Sequence, residues 1–333
     1  MKFWIFAMGR LRFSVSFVVV LLFLSFSSDG NSQSFPSKPL RIVVPFPAGG
    51  TTDIAARIVA QRMQESMGQP VLVENRGGAG GTIGADVVAK SAPDGYTLLM
   101  HNITFPLAST SLALAGRLPY NLDTDFAGIS IVVNVPLVLT AHPSVPVKDL
   151  KELGALLKGD ASLKYTYGST GPGSFMNVIG EAFKKEAGVD MTHIPFKGAA
   201  PLKQELLAGR LHIGGDQLSS SLAEIKSGKL KALATHGARR IPELPDVPTV
   251  RELGYPGLEL EGWNGLFVAA KTPKEIIDRL HKEAVAAAKH PDTIRRFTDL
   301  AAEAVGSSPA DQDAIVRRQA AQFRPIIQTI KLE

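Results

Sequence analysis

Apolar positions along this chain fall into short blocks with two alternating periods. Leu40 to Phe46 is a near-continuous apolar run interrupted only by Arg41, the pattern of a buried strand. Pro47-Ala48-Gly49-Gly50-Thr51-Thr52-Asp53 follows as a turn-forming stretch. Ile54, Ile58, Val59 and Met63 then recur on one helical face, and Gly68 sits where that helix should stop. Residues 71–73 read as a second strand, 77–81 as a glycine cluster, 83–90 as a helix and Pro93-Asp94-Gly95 as a turn before a strand over 96–100. Strands that alternate with helices through short turns predict an α/β domain with a largely parallel sheet.

Residues 129–140 form a long β-branched stretch broken by Asn134 and Pro136. It exceeds an average strand and is placed to cross between lobes. The strand–turn–helix pattern then restarts. A helix is expected over 149–157 and a strand over 164–167. Next come the turn Gly168-Ser169-Thr170-Gly171-Pro172-Gly173-Ser174 and a helix carrying Phe175, Ile179 and Phe183 on one face. Further strands are expected over 192–196, 211–216 and 230–235, with a helix over 201–207. Pro242, Pro245, Pro248 and Pro256 punctuate a loop-rich connection, and strand character resumes over 258–270 around Trp263. A helix over 273–289 has Pro273 in its first turn, a favoured position, and 309–327 forms a terminal helix. A chain that leaves one lobe, builds a second and returns makes a cleft that closes by hinge motion. The expected division is lobe 1 over 35–135 and 256–333, and lobe 2 over 136–255.

The first 34 residues stand apart. Lys2, Arg10 and Arg12 precede an apolar run over 13–26, followed by small and polar residues to Ser34. A basic start, a short apolar core and a small-residue exit describe a cleaved export signal. The run falls short of the ~20 residues a membrane span needs. Met8 offers an alternative start, and no later segment is long and apolar enough to span a bilayer. The mature chain is therefore expected outside the cytoplasm. A length of 333 residues suits two domains, and 45% hydrophobic with 20% charged residues is globular composition. The net charge of +5 is dispersed along the chain, which argues against nucleic acid and suits an anionic ligand. With no cysteine, thiol catalysis, Cys-ligated metals and disulfides are excluded.

Two loops carry the candidate chemistry. In the first, Gly49 and Gly50 leave backbone amides open at a helix N-terminus, and Thr51 and Thr52 add hydroxyls. Such an end binds anions. The same residues also suit plain helix capping, with Asp53 in the first turn favouring the helix dipole. The loop from Gly168 to Ser174 repeats the build in the second half of the chain. One such loop on each lobe is what gripping a carboxylate from both sides would require, at the carboxyl ends of the strands. The cluster from Gly77 to Gly84 places Ile83 where a dinucleotide fingerprint needs glycine, and no phosphate-binding P-loop occurs; it reads as a tight turn that borders the cleft at most. Asp216 and Asn102 each end a strand and suit either a turn or a polar contact in the cleft. Trp263 is expected to pack between the lobes, with the pocket wall as the alternative. There is no nucleophile elbow and no zinc-protease helix, and the seven histidines are scattered.

The stretch Pro36 to Asp53, with its core Pro45-Phe46-Pro47-Ala48-Gly49-Gly50-Thr51-Thr52-Asp53, closely resembles the opening of the Bug family, the substrate-binding proteins of tripartite tricarboxylate transporters. Glu74-Asn75-Arg76-Gly77-Gly78, Ala92-Pro93-Asp94-Gly95-Tyr96, His193-Ile194-Pro195-Phe196-Lys197-Gly198, Leu244-Pro245-Asp246-Val247-Pro248 and Trp263-Asn264-Gly265-Leu266 resemble it in the same order. The resemblance covers the mature chain. It implies an α/β fold of the two-lobed periplasmic type II (Venus-flytrap) class, each lobe a mixed sheet flanked by helices. It also implies a ligand carboxylate held between Ala48, Gly49, Thr51, Thr52 and Asp53 on one side and Ser169, Thr170, Gly171, Gly173 and Ser174 on the other, with Asp216 lining the pocket. Asn177 stands where the family often has His, a departure that bears on ligand choice. The function implied is periplasmic capture of a small carboxylate (a di- or tricarboxylate, an acidic amino acid or an aromatic acid) for an integral membrane permease. The alternative is a sensor that docks onto a membrane receptor kinase. A monomer is expected, with no enzymatic activity, cofactor, metal or nucleic-acid partner.

Overall fold

The computed structural model describes residues 35–160 and 162–330. The export signal read in residues 1–34, with its alternative starts Met1 and Met8, lies outside the described residues. The chain opens with β1 (Leu40–Val44), α1 (Thr51–Met67), β2 (Val71–Asn75), α2 (Thr82–Ala89) and β3 (Thr97–Asn102). β1 pairs in parallel with both β2 and β3, as the apolar runs and intervening helices predict. Gly68 ends α1 in the left-handed region, at φ 67. α3 (Thr104–Leu114) follows, a helix that the hydrophobic pattern does not announce. Its residues from Thr104 to Ser111 are all buried, so it has no polar face to create a period. β4 (Phe126–Asn134) completes this part of the first sheet.

The β-branched stretch around Pro136 is two strands. β4 belongs to the first sheet and β5 (Leu137–Ala141) to the second. Pro136 supplies no amide, and the break falls there. α4 (Leu150–Gly159) starts under an Asp149 side-chain cap on Glu152. Then come β6 (Thr166–Ser169), α5 (Phe175–Ala187), β7 (Thr192–Pro195), α6 (Ala199–Leu207), β8 (Ile213–Gln217), α7 (Leu222–Lys226) and β9 (Lys231–Thr235). The second sheet runs β7-β6-β8-β5-β9.

The chain re-enters the first sheet as β10 (Trp263–Ala269). The strand is shorter than its sequence suggests, because Pro256–Leu258 is a 3-10 turn. The outgoing and returning segments lie side by side, with Val135 N–H donating to Gly262 O at 2.9 Å. α8 (Lys274–Lys289) has Pro273 at its N-cap and not inside its first turn. α9 (Pro291–Thr298), β11 (Glu303–Ala304) and α10 (Pro309–Ile327) complete the fold. The first sheet runs β11-β4-β10-β3-β1-β2. β10 is antiparallel to β3 and β4, so both sheets are mixed. α10 packs on α3, β4 and α5 and so touches both lobes. Trp263 is buried, and its Nε1–H donates to Gln319 Oε1 of α10 at 2.8 Å. It is a packing residue.

Candidate functional site

The two glycine-rich turns are built alike. In the first, Gly49 adopts φ +85 and Gly50 is the N-cap of α1, which has no side-chain cap. Asp53, three residues into the helix, accepts from Gly49 N–H at 3.0 Å. In the second, Gly173 adopts φ +70 and Ser174 is the N-cap of α5, again with no side-chain cap. Asn177, at the equivalent place, accepts from Gly173 N–H at 2.9 Å. Each turn is thus held by a side chain four residues ahead, and neither N-cap residue caps its helix with its own side chain. Ser169 fixes the base of the second turn, its Oγ accepting from Gly171 N–H at 3.1 Å and lying 2.7 Å from His193 Nε2.

Asp53 is only 3% exposed, and both its oxygens are engaged. Arg57 Nε donates to Oδ1 and Oδ2 at 3.1 and 3.0 Å, and Asn75 Nδ2 donates to Oδ1 at 2.9 Å. Asn75 also donates to Phe46 O at 3.0 Å and so anchors the strand end before the turn. Burial pushes the Asp53 carboxyl up, but the bonds from Arg57, Gly49 and Asn75 outweigh it and hold the group below the usual carboxylate range. Its negative charge is matched by Arg57. Among the residues expected at the site, Asp53 therefore organises the first turn.

The turns face each other, and a polar chain connects them. Asn102 Nδ2 donates to Thr52 Oγ1 at 2.9 Å, while Asn102 Oδ1 accepts from Thr104 N–H at 2.9 Å. Thr104 Oγ1 in turn accepts from Phe175 N–H at 3.5 Å. The first turn of α1 is thereby linked to the first turn of α5. A second tie joins Thr51 Oγ1 to Ser219 Oγ at 2.6 Å. Close backbone approach completes the contact: a Cβ on Gly171 would lie 3.2 Å from Gly80 N, and one on Gly198 would lie 2.5 Å from Pro47 Cδ. Both positions have positive φ, so only glycine serves there without strain.

A cavity of about 230 Å³ lies between the Gly78–Gly81 turn and the second glycine-rich turn. Its walls are Phe46, the Gly78–Gly81 turn, Thr170, Gly171 and Pro172, and the segment Pro195, Phe196 and Lys197. The Gly77–Gly84 cluster thus borders the cleft through its 3-10 turn. Ala48 and Gly49 are exposed, whereas Thr51, Thr52, Ser169, Gly173 and Ser174 are buried. Ser174 Oγ has no hydrogen-bond partner among the described residues. Asp216 is not among the residues that line this cavity. It shares a face of β8 with Gly214, which packs on Leu202 and Leu206 of α6. Burial pushes its carboxyl up to about 6, against the opposing pull of Gln217 N–H, Ser220 and Lys203.

Two further groups shape the site: Asn177, which the family resemblance singles out, and His101, which the hydrophobic pattern leaves unmarked. Asn177 repeats at Gly173 the spacing of Asp53 at Gly49, which is visible once the two turns are set side by side. His101 sits on β3 behind Gly81. Its Nδ1 accepts from Asn102 N–H at 2.9 Å, and its Nε2 has no partner among the described residues. The ring stacks on Phe105 at 4.7 Å and meets Phe46 edge-on at 5.3 Å. A Cβ on Gly81 would lie 2.6 Å from His101 Nε2, so a glycine there lets the turn close over the ring.

The sequence profile of the tripartite tricarboxylate transporter family receptor (TctC) matches residues 55–332. The chain belongs to this family. Protein BugT of Bordetella pertussis is 36% identical to the receptor over 279 residues, covering 84% of this chain and 85% of BugT. The periplasmic binding protein BugD superposes with a TM-score of 0.83 at 36% identity, over 90% of this chain and 99% of BugD. MatC from Rhodopseudomonas palustris, solved with bound malate, gives a TM-score of 0.82 at 32% identity, over 88% of this chain and 100% of MatC. An R. palustris protein solved with adipate gives 0.81 at 31%, over 88% of this chain and 97% of that one. The receptor is accordingly a solute-binding protein and not an enzyme.

Proposed function

We propose that this receptor captures a small carboxylate in the periplasm between its two glycine-rich turns and delivers it to an integral membrane permease. The observation that carries the reading is the pair of helix N-termini, on opposite lobes, joined through Thr52, Asn102, Thr104 and Phe175 N–H. Each end carries amides without a side-chain cap and about half a positive charge, so a carboxylate placed between them meets donors from both sides. Malate in MatC and adipate in the second R. palustris protein support a carboxylate as the guest. In this reading Ala48, Gly49, Thr51 and Thr52 contribute the first wall, and Thr170, Gly171, Gly173 and Ser174 the second. Asp53 and Asn102 act one step back. Asp53 repels an anion directly but holds the turn whose amides attract it. Asp216, on the α6 face of β8, is not among the residues that line the cavity.

The test is a thermal-shift screen of the purified receptor against malate, adipate, aspartate and benzoate, followed by calorimetry. Ligand at a hundred times Kd stabilises the folded state by about 2.7 kcal/mol. A clear rise in Tm with at least one acid is expected. A rise only with uncharged compounds would overturn the carboxylate reading.

A further inference from the structure

We infer that Lys197 makes this receptor select ligands with two carboxylates, by supplying the countercharge for the second one. The inference rests on the carboxylate reading above and names the residue that sets its selectivity. Two helix N-termini together offer about one positive charge, enough to match a single carboxylate. Asp53 and Arg57 cancel one another, so the first turn adds no net formal charge. A second carboxylate in the same cleft therefore needs a full cation.

Among the described residues, Lys197 is the only charged one that lines the cavity between the Gly78–Gly81 turn and the second glycine-rich turn. Its backbone is fixed on both sides. Phe196 N–H donates to Ser169 O at 2.8 Å, and Gly198 abuts Pro47 of the first turn. Its side chain is free: among the described residues Lys197 makes no hydrogen bond or ion pair. An ammonium without a partner, on a long aliphatic stem, suits diacids of differing length, because the stem adjusts to the distance.

Calorimetry with matched pairs tests this: adipate against hexanoate, and succinate against butyrate, on wild type, Lys197→Met and Lys197→Arg. Lys197 is exposed and unpartnered, so both variants should keep the wild-type Tm. Lys197→Met is expected to bind the diacids about three- to tenfold more weakly, the range for a partly desolvated ion pair, with monoacid binding unchanged. Lys197→Arg should stay within about twofold for both classes, since it keeps the charge. Equal losses for diacids and monoacids, or no loss for either, would overturn the assignment. So would a wild-type protein that binds hexanoate as tightly as adipate. A wild type that binds none of the four acids instead removes the carboxylate reading itself, and this inference with it.

Discussion

Ser174→Ala separates helix capping from ligand capture. A serine N-cap normally accepts from an amide of the first turn, and its loss costs about 0.5–2 kcal/mol. Ser174 makes no such bond. Its hydroxyl is buried and without a partner among the described residues, a situation that costs about 1–3 kcal/mol in lost hydration. Removing the hydroxyl therefore removes a penalty and no bond. The ligand-free variant should be as stable as wild type, or more stable by up to about 1 kcal/mol, which is ~2 °C in Tm for a chain of this size. Binding should respond in the opposite sense. A hydroxyl that donates to a carboxylate contributes about 1.5–3 kcal/mol, so Kd should weaken about ten- to a hundredfold. Scanning calorimetry without ligand and titration calorimetry with adipate give the two numbers. A ligand-free Tm lowered by ~4 °C or more would show that the hydroxyl caps the helix after all. An unchanged Kd would take Ser174 out of the site.

Asp53→Ala should behave differently. It leaves Gly49 N–H, the Asn75 amide and Arg57 without their acceptor. Arg57 is half exposed and turns to water, so the expected loss is about 2–3 kcal/mol, with weaker acid binding because the turn loosens. An unaltered Tm would refute the organising role. Stability should also fall in acid. Burial holds His101 and His236 down to about 3 and about 4, whereas an unfolded histidine titrates near 6.5. Their contribution is complete above about pH 6.5 and is lost progressively as pH falls toward 4, by several kcal/mol, against a smaller opposite gain as the Asp216 carboxyl, raised to about 6, takes up its proton. The depressed Asp53 carboxyl adds a further loss once pH drops below about 4, through its folded pKa. Tm measured from pH 7 to 4 checks this, and His101→Gln should flatten the profile. A constant Tm over pH 6.5–4.5 would refute it.

Much of the fold is legible in the periodicity. β1, α1 and α10 stand out because each is largely apolar or apolar on one face, and because Gly68 marks the natural end of α1. α3 escapes because burial on all sides erases its period. α9 escapes because its break from α8 at His290 lies between stretches that both suit a helix. Periodicity predicts a largely parallel sheet and only the family resemblance implies mixed ones, because strand direction depends on how the chain returns, as β10 does beside β3 and β4. At the site, the sequence suffices to find the two turns. It leaves Asp53 open between dipole and ligand, because Asn75 and Phe46, which settle its bonding, lie in other elements.

The amino-acid order by itself determined two strand–glycine turn–helix units, the break at Pro136 and the family resemblance. These follow from turn chemistry and apolar spacing, which act over a few residues. Only the tertiary structure decided that the two turns meet, that Asn102 and Thr104 bridge them, and that Asp53 is engaged while Ser174 is not. Those outcomes depend on which distant backbone comes to lie within hydrogen-bond reach. The path of the chain between lobes sets that, and no local pattern encodes it.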